Sequence, residues 1–149
     1  MIIIGDTSGL VAALNTADLE HEAARAALRQ ASLTVISPLV FLEIEHITTR
    51  NVGHHAAYKV NDWLLASEQA GAVAVPDVPA AILRKARMVQ DGYTDLRLDL
   101  ADAVNVVLAE RYETDTILTL DRRDFRTIIP LTGHKAFRLL PDDLYTQSS

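Results

Sequence analysis

The sequence has 149 residues, of which 49% are apolar, so it predicts a folded domain with a substantial hydrophobic core rather than a disordered chain. It contains no cysteine, which excludes disulfides and thiolate metal sites and fits a cytoplasmic protein. The formal net charge of −6 argues against a protein that grips nucleic acid through a large basic surface.

The negative net charge still allows a nucleic-acid enzyme that binds metal ions through clustered acids. A clustered acidic metal site lowers the formal charge, because the bound cations are not counted. No apolar run approaches the ~20 residues that would cross a membrane. The amino terminus lacks a basic flank followed by a long apolar core, so no signal peptide is expected.

Along the chain, short apolar runs alternate with helical patterns. The predicted order is a strand followed by two helices, three times over, and then a strand, a helix and a strand. This alternation favours a single three-layer α/β/α domain over residues 1–145, with a mainly parallel central sheet of four or five strands. Residues 146–149 are expected to be a frayed end. The strands are predicted at residues 1–5, 33–37, 72–75, 116–120 and 136–140, the last of them at a sheet edge.

The first predicted strand ends at Asp6, and Thr7 and Ser8 lead directly into a helical pattern. Aspartate is a leading N-cap residue, so the simplest interpretation of Asp6 is a carboxylate that accepts backbone N–H bonds at the helix start. The alternative is a functional carboxylate at the carboxyl end of a strand, where open parallel sheets collect their chemistry.

Ser37 and Pro38 begin a helix whose apolar turn is interrupted by Glu43. A glutamate that follows the apolar residues 39–42 must be paired, exposed on a narrow polar stripe, or a metal ligand. Glu43 and His46 also have the spacing of a di-iron site, but no second copy of that spacing is evident, so this interpretation is not favoured.

Two other side chains of the first helices have structural interpretations. His21 falls in a polar stretch and is expected to be solvated. Trp63 is the single tryptophan, and we expect it to pack in the core or in a dimer contact.

The densest group of acids lies between residues 98 and 125. Asp99 and Asp102 are three residues apart near a helix start, so both carboxylates can point the same way. Asp121 follows the predicted strand at residues 116–120, and Asp124 comes three residues later. Each of these acids could instead stabilise a helix N-terminus as a cap or first-turn residue.

Together these acids predict a site for a hard divalent cation. Several carboxylates packed together repel one another and would not all stay ionised at neutral pH. Mg²⁺ and Mn²⁺ prefer carboxylate and water oxygens, and the chemistry that follows most directly is phosphodiester hydrolysis. The sequence has no phosphate-binding glycine loop, dinucleotide fingerprint or nucleophile elbow that would favour another reaction.

Four stretches in order resemble the PIN-domain ribonucleases, and most closely the VapC toxins of bacterial toxin–antitoxin pairs. Each stretch is weakly specific alone, but the four cover nearly the whole chain with appropriate gaps. They are DTSGL at residues 6–10, SPLVFLE at 37–43, LDLADA at 98–103 and LTLDRRDF at 118–125.

The resemblance implies a PIN-like fold and an endoribonuclease that depends on Mg²⁺ or Mn²⁺. It assigns the four catalytic acids to Asp6, Glu43, Asp102 and Asp121, and all of these except Glu43 are the expected metal ligands. Asp102 matches better than Asp99, because the acid of the family directly precedes a small helix residue, here Ala103. The possible accessory positions are Asp99, Asp124, Thr7, Ser8 and Thr119.

The resemblance also implies a homodimer and inhibition by a cognate VapB antitoxin whose tail fills the active-site groove. Because the net charge is acidic, we expect the RNA phosphates to contact the arginines beside Asp121, namely Arg122, Arg123 and Arg126. Two alternatives remain open at this point. One is a non-catalytic α/β interaction module whose acids are helix caps, and the other is a PIN-like nuclease that acts on DNA.

Overall fold

The computed structural model describes residues 1–145 as five strands and seven α-helices, in the order that the sequence predicts. The predicted frayed end, residues 146–149, lies outside the described residues. The strands are β1 (Ile2–Gly5), β2 (Leu33–Val35), β3 (Val73–Ala74), β4 (Thr116–Leu118) and β5 (Arg138–Leu140). The helices are α1 (Thr7–Leu14), α2 (His21–Gln30), α3 (Pro38–Asn51), α4 (His54–Gln69), α5 (Ala80–Gly92), α6 (Leu100–Arg111) and α7 (Arg122–Thr127), with one turn of 3-10 helix at Thr94–Leu96.

The five strands form one sheet, which is parallel throughout, in the order β3-β2-β1-β4-β5. The chain first moves outward from β1 to β3, then returns to the other side of β1 with β4. The direction of winding therefore reverses between β1 and β4. Open parallel sheets bind their ligands in the crevice at such a switch point, beyond the carboxyl ends of the strands.

Helices cover both faces of this sheet, because successive strand residues point to opposite sides. Ile4 and Ile117 face one core, which includes residues of α5 and α6. Ile3 and Leu118 face a second core, which includes residues of α1, α2, α3 and α4. The predicted three-layer α/β/α architecture is thus confirmed, with five strands.

A glycine lets α1 lie directly against β4. A Cβ atom on Gly9 would come within 2.5 Å of the backbone carbonyl oxygen of Leu118, so a side chain does not fit without displacing the backbone. The backbone N–H of Asp6 also donates to the Leu118 carbonyl, at 3.0 Å. These contacts bring the start of α1 to the carboxyl end of β4.

The structure differs from the sequence-based expectations at several places. The strands are shorter than predicted; β4, for example, ends at Leu118 rather than at residue 120. The prediction of a solvated His21 is wrong, because this side chain is 7% exposed and its Nδ1 lies 2.9 Å from the carbonyl oxygen of Ala12. Trp63 is 50% exposed and therefore lies at the edge of the core rather than within it. Across residues 1–145, no helix combines the length and the apolar character that crossing a membrane requires.

Candidate active site

The predicted acids meet at the carboxyl edge of the sheet, beside the switch point. Asp6 directly follows β1, and Asp121 follows β4 and precedes α7. Asp102 lies in the first turn of α6, and Glu43 lies in α3. Four separate elements therefore contribute one acid each to the same end of the sheet. The charges of Asp6, Asp121 and Glu43 each raise the pKa of Asp102, so all three acids lie near it.

The carboxylate of Asp6 is held by side chains and does not cap α1, although Asp6 stands at the N-cap position. Asp6 precedes α1 but makes no side-chain capping bond. It is only 4% exposed. The Thr119 hydroxyl donates to Oδ2 at 2.7 Å, and the Ser8 hydroxyl donates to the same oxygen at 3.3 Å. The Asn105 amide donates to Oδ1 at 3.3 Å.

The two hydroxyls that hold Asp6, those of Thr119 and Ser8, also fix the loop after β4. The backbone N–H of Asp121 donates to Thr119 Oγ1 at 2.9 Å, and the backbone N–H of Leu120 donates to Ser8 Oγ at 2.9 Å. The accessory positions Thr119 and Ser8 therefore connect the first acid to the segment that carries the fourth. This network fixes the relative placement of Asp6 and Asp121.

Glu43 is paired, which is one of the three alternatives that its apolar flank left open. The hydroxyl of Thr7, the first residue of α1, donates to Glu43 Oε1 at 2.7 Å. Glu43 is partly buried and Thr7 is buried, so the contact has little competition from water. His46, its partner in the di-iron spacing, is exposed.

The two acids at the start of α6 have different surroundings. Asp99 is the N-cap of α6, and its carboxylate accepts the backbone N–H of Asp102 at 2.8 Å. The cap interpretation is therefore confirmed for Asp99. Asp102 is partly buried inside the first turn, whereas Asp99 is exposed.

Burial, together with neighbouring negative charge, raises the pKa values of three of these carboxyls. Burial raises the pKa of Asp102 to about 9, and the neighbouring charges of Asp6 and Asp99 add to the rise. Burial raises the pKa of Asp6 to about 6, while the hydrogen bond from Thr119 opposes the rise. The pKa of Asp121 is also raised, mainly by burial and then by Asp124. A cation placed among these groups would favour their ionised forms.

Three of the carboxylates are close enough to share one cation. Asp102, Asp121 and Asp124 each have a carboxylate oxygen, and these atoms all lie within 4.8 Å of one another. An all-oxygen donor set of this kind suits Mg²⁺ or Mn²⁺. The group includes Asp124, which the sequence marked as accessory, and it does not include Asp6, which borders it. The donor chemistry and the raised pKa values both fit a bound divalent cation.

The three arginines expected to bind RNA do not share one environment. Arg122 contacts Glu20 Oε1 at 2.6 Å and Asp142 Oδ2 at 2.5 Å. Arg126 makes two bonds to the carboxylate of Asp143, at 2.6 and 2.7 Å. Arg123 is exposed, and its charge lowers the pKa of Asp121, so it lies near the acids.

Sequence reasoning missed Asn105. It lies on α6, three residues after Asp102, and is 0% exposed. The signal was present, because Asn105 is the one amide residue in the otherwise apolar run at residues 103–109. The sequence could not show its contact with Asp6, because Asp6 lies 99 residues earlier in the chain.

Known proteins share the sequence pattern and the fold of this chain. The PIN domain family model matches residues 3–128. The chain is 37% identical over 140 residues to Ribonuclease VapC26 of Mycobacterium tuberculosis (strain ATCC 25618 / H37Rv), covering 93% of this chain and 100% of that protein.

Two solved structures share the fold. The first is Mycobacterium tuberculosis VapC20, described as a sarcin-ricin loop cleaving toxin, with a TM-score of 0.71 and 21% identity over 81% of this chain and 90% of that chain. The second is a chain of VapBC2 from Rickettsia felis bound to a DNA fragment from its promoter, with a TM-score of 0.64 and 16% identity over 88% of this chain and 96% of that chain. With a family match over most of its length and a curated relative at 37% identity, the chain belongs to the PIN-domain family and, within it, to the VapC proteins.

Proposed function

We propose that this chain is an endoribonuclease toxin that hydrolyses RNA phosphodiester bonds with a bound Mg²⁺ or Mn²⁺. The observation that carries the proposal is the convergence of Asp102, Asp121 and Asp124 within 4.8 Å, beside the buried carboxylate of Asp6. The name of the curated relative, a ribonuclease that aligns along its full length, supports RNA as the substrate.

Each of the acidic side chains has a distinct part in the proposal. Asp102, Asp121 and Asp124 would hold the cation, and Asp6, which borders them, would be a further ligand. When bound, a divalent cation stabilises charge on the reacting phosphate and lowers the pKa of a water molecule. Glu43, oriented by the hydroxyl of Thr7, would accept the proton of the attacking water.

The RNA backbone would contact the exposed arginines near this site. Arg123 is exposed and close to Asp121, whereas Arg122 and Arg126 are already paired with carboxylates. Arg97 is a further candidate, because it is exposed two residues before Asp99 and holds a left-handed backbone conformation with φ of 51°. Non-glycine residues in that conformation are uncommon and concentrate at functional sites. Arg123 and Arg97 are therefore the proposed phosphate contacts.

The proposal includes a VapB-type antitoxin as inhibitor, a homodimer as the working form, and the cytoplasm as the location. Membership of the VapC proteins supports the antitoxin and the dimer. Co-purification with the product of a neighbouring reading frame, followed by mass measurement of the complex, tests both. Loss of RNA cleavage in that complex is the expected result.

The non-catalytic module is not favoured. Helix capping accounts for Asp99 but not for Asp6, whose carboxylate makes no capping bond. Carboxyls with raised pKa values, grouped at the sheet edge, also lower the stability of the fold when they ionise. A non-catalytic interaction module has no use that would offset this loss.

The test is cleavage of a mixed cellular RNA pool by the purified chain with Mg²⁺, Mn²⁺ or EDTA, beside Asp6→Asn and Asp121→Asn. We expect cleavage that requires metal and falls at least about 100-fold in both variants, since each removes a charge that the site needs. Asp62→Asn is the matched control, because Asp62 is an exposed acid on α4. Cleavage of DNA but not RNA would favour the DNA-nuclease alternative, and cleavage that survives in EDTA would refute metal dependence.

A further inference from the structure

Asn105 is a fully buried polar side chain at the base of the candidate site. It is 0% exposed, and its neighbours along α6 are the buried valines Val104 and Val106. A buried amide carries two donors and one acceptor that must find partners within the protein. In this position an apolar residue would continue the buried face of α6 without any such requirement.

The contact that Asn105 makes is with the first acid. Its Nδ2 donates to Asp6 Oδ1 at 3.3 Å. The hydroxyls of Thr119 and Ser8 both donate to the other carboxylate oxygen, Oδ2. Among the described residues, Asn105 is thus the side-chain donor to Oδ1, and the carboxylate is held from both of its oxygens. Such two-sided contact fixes the rotation of the carboxylate plane.

The same side chain leaves a polar atom without a partner. Within residues 1–145, Asn105 Oδ1 is buried and accepts no hydrogen bond from the protein. An unpaired buried carbonyl lowers stability. The opposite orientation of the amide would place Oδ1 against the Asp6 carboxylate, so the contact with Asp6 determines which way the amide points.

We propose that Asn105 is a positioning residue that fixes the carboxylate of Asp6 for divalent-cation binding and RNA cleavage. The inference rests on the proposed function. Asn105 is buried behind Asp6 and acts through it, without touching the RNA. Residues that orient acidic ligands in this way typically contribute roughly 10- to 100-fold to metal affinity or to activity.

The chain offers a matched control in Asn61. Asn61 Oδ1 is also buried and unpaired among the described residues, but it lies on α4, which carries none of the site acids. Asn61 is partly buried as a whole, so Asn61→Ala removes a buried, unpaired amide oxygen without the loss of a contact to Asp6. Asn105→Ala and Asn105→Val are the test variants, because one is smaller than asparagine and the other fills the space with an apolar group.

Four quantities are measured for each variant: the unfolding midpoint in EDTA, the Mn²⁺ concentration that gives half of the maximal thermal stabilisation, and kcat and KM for RNA at saturating Mn²⁺. We expect the half-maximal Mn²⁺ concentration to rise about tenfold or more in both Asn105 variants and kcat to fall about tenfold. KM for RNA is expected to stay within about twofold, because the fully buried Asn105 cannot contact RNA. Asn61→Ala is expected to leave the half-maximal Mn²⁺ concentration, kcat and KM within about twofold of the wild-type values.

The outcomes separate the inference from the proposed function. A folded Asn105 variant with the Mn²⁺ affinity and kcat of the wild type would overturn the inference alone. Equal losses in Asn61→Ala would also overturn it, because they would show a general effect of a buried amide. A wild-type protein that neither gains stability from Mn²⁺ nor cleaves RNA would overturn the proposed function, and the inference with it.

Discussion

The raised pKa of Asp102 makes the stability of the metal-free protein depend on pH in a direction that can be measured. Its folded pKa is about 9, against an ordinary value of 3.8. Between these values the folded state holds a proton that the unfolded state has released. The free energy of unfolding must therefore fall as pH rises from about 4 to 9. Asp102→Asn removes this titration and should remove its part of the slope.

The size of the effect follows from the proton count. One proton held only by the folded state lowers the free energy of unfolding by about 1.4 kcal/mol per pH unit. From pH 6 to pH 8 the limit is about 2.7 kcal/mol, and we expect about 1–2 kcal/mol because Asp102 is partly exposed and water screens its charge. For a domain of this size that change corresponds to roughly 2–8 °C in unfolding midpoint. Asp6, with a pKa of about 6, adds its own fall mainly below this range.

The assay is urea unfolding in EDTA at pH 6, 7 and 8, for the wild type and Asp102→Asn. Contributions from groups common to both proteins cancel in the difference. The variant should gain about 1–2 kcal/mol on the wild type between pH 6 and pH 8. Saturating Mn²⁺ should remove the downward slope of the wild type, because the cation favours ionised carboxylates. Parallel pH profiles for the two proteins in EDTA would refute the reasoning.

Two further predictions test the fold and the RNA surface. Gly9→Ala should lower the free energy of unfolding by roughly 1–3 kcal/mol, because its Cβ would meet the backbone of β4. Gly92→Ala, whose Cβ meets open space, is the control. An unfolding midpoint of Gly9→Ala at or above that of the wild type would contradict the close contact. Arg123→Ala should weaken RNA binding and reduce the slope of log affinity against log salt by about one. Arg126→Ala should leave that slope unchanged and cost at most about 1 kcal/mol of stability from its lost ion pair. Equal slopes of log affinity against log salt for the wild type and Arg123→Ala would show that Arg123 does not contact the RNA phosphates.

The order of the elements was predictable because it depends on local pattern. Strands of two to four residues stand between helices in the sequence, and the parallel arrangement follows from helical crossovers between them. The positions of Asp6 and Asp121 after strands were visible for the same reason. The exact strand ends were not, because they depend on the register with neighbouring strands rather than on the residues of one strand.

Side-chain partners across the sheet could not be predicted from spacing. Asp6 looked like a helix cap because its local sequence fits one, and the donors that hold its side chain instead include Asn105 and Thr119, from elements about 100 residues away. His21 stands in a polar stretch, yet the packing of α2 against α1 buries it. Which acids lie close enough to share a cation is also a tertiary property, since Asp124 joins Asp121 only once α7 begins immediately after the β4 loop.

The central place of β1 in the sheet sets the order in which the site can be assembled during synthesis. Asp6 leaves the ribosome early, but Thr119, which holds it, lies 113 residues later. At about 5–20 residues per second, this separation corresponds to roughly 6–20 s of translation. A nascent chain that ends before Asp121 also lacks Asp124, so it cannot bring together the carboxylates of the candidate site. The fold therefore delays assembly of the candidate site until β4 and the start of α7 have been synthesised.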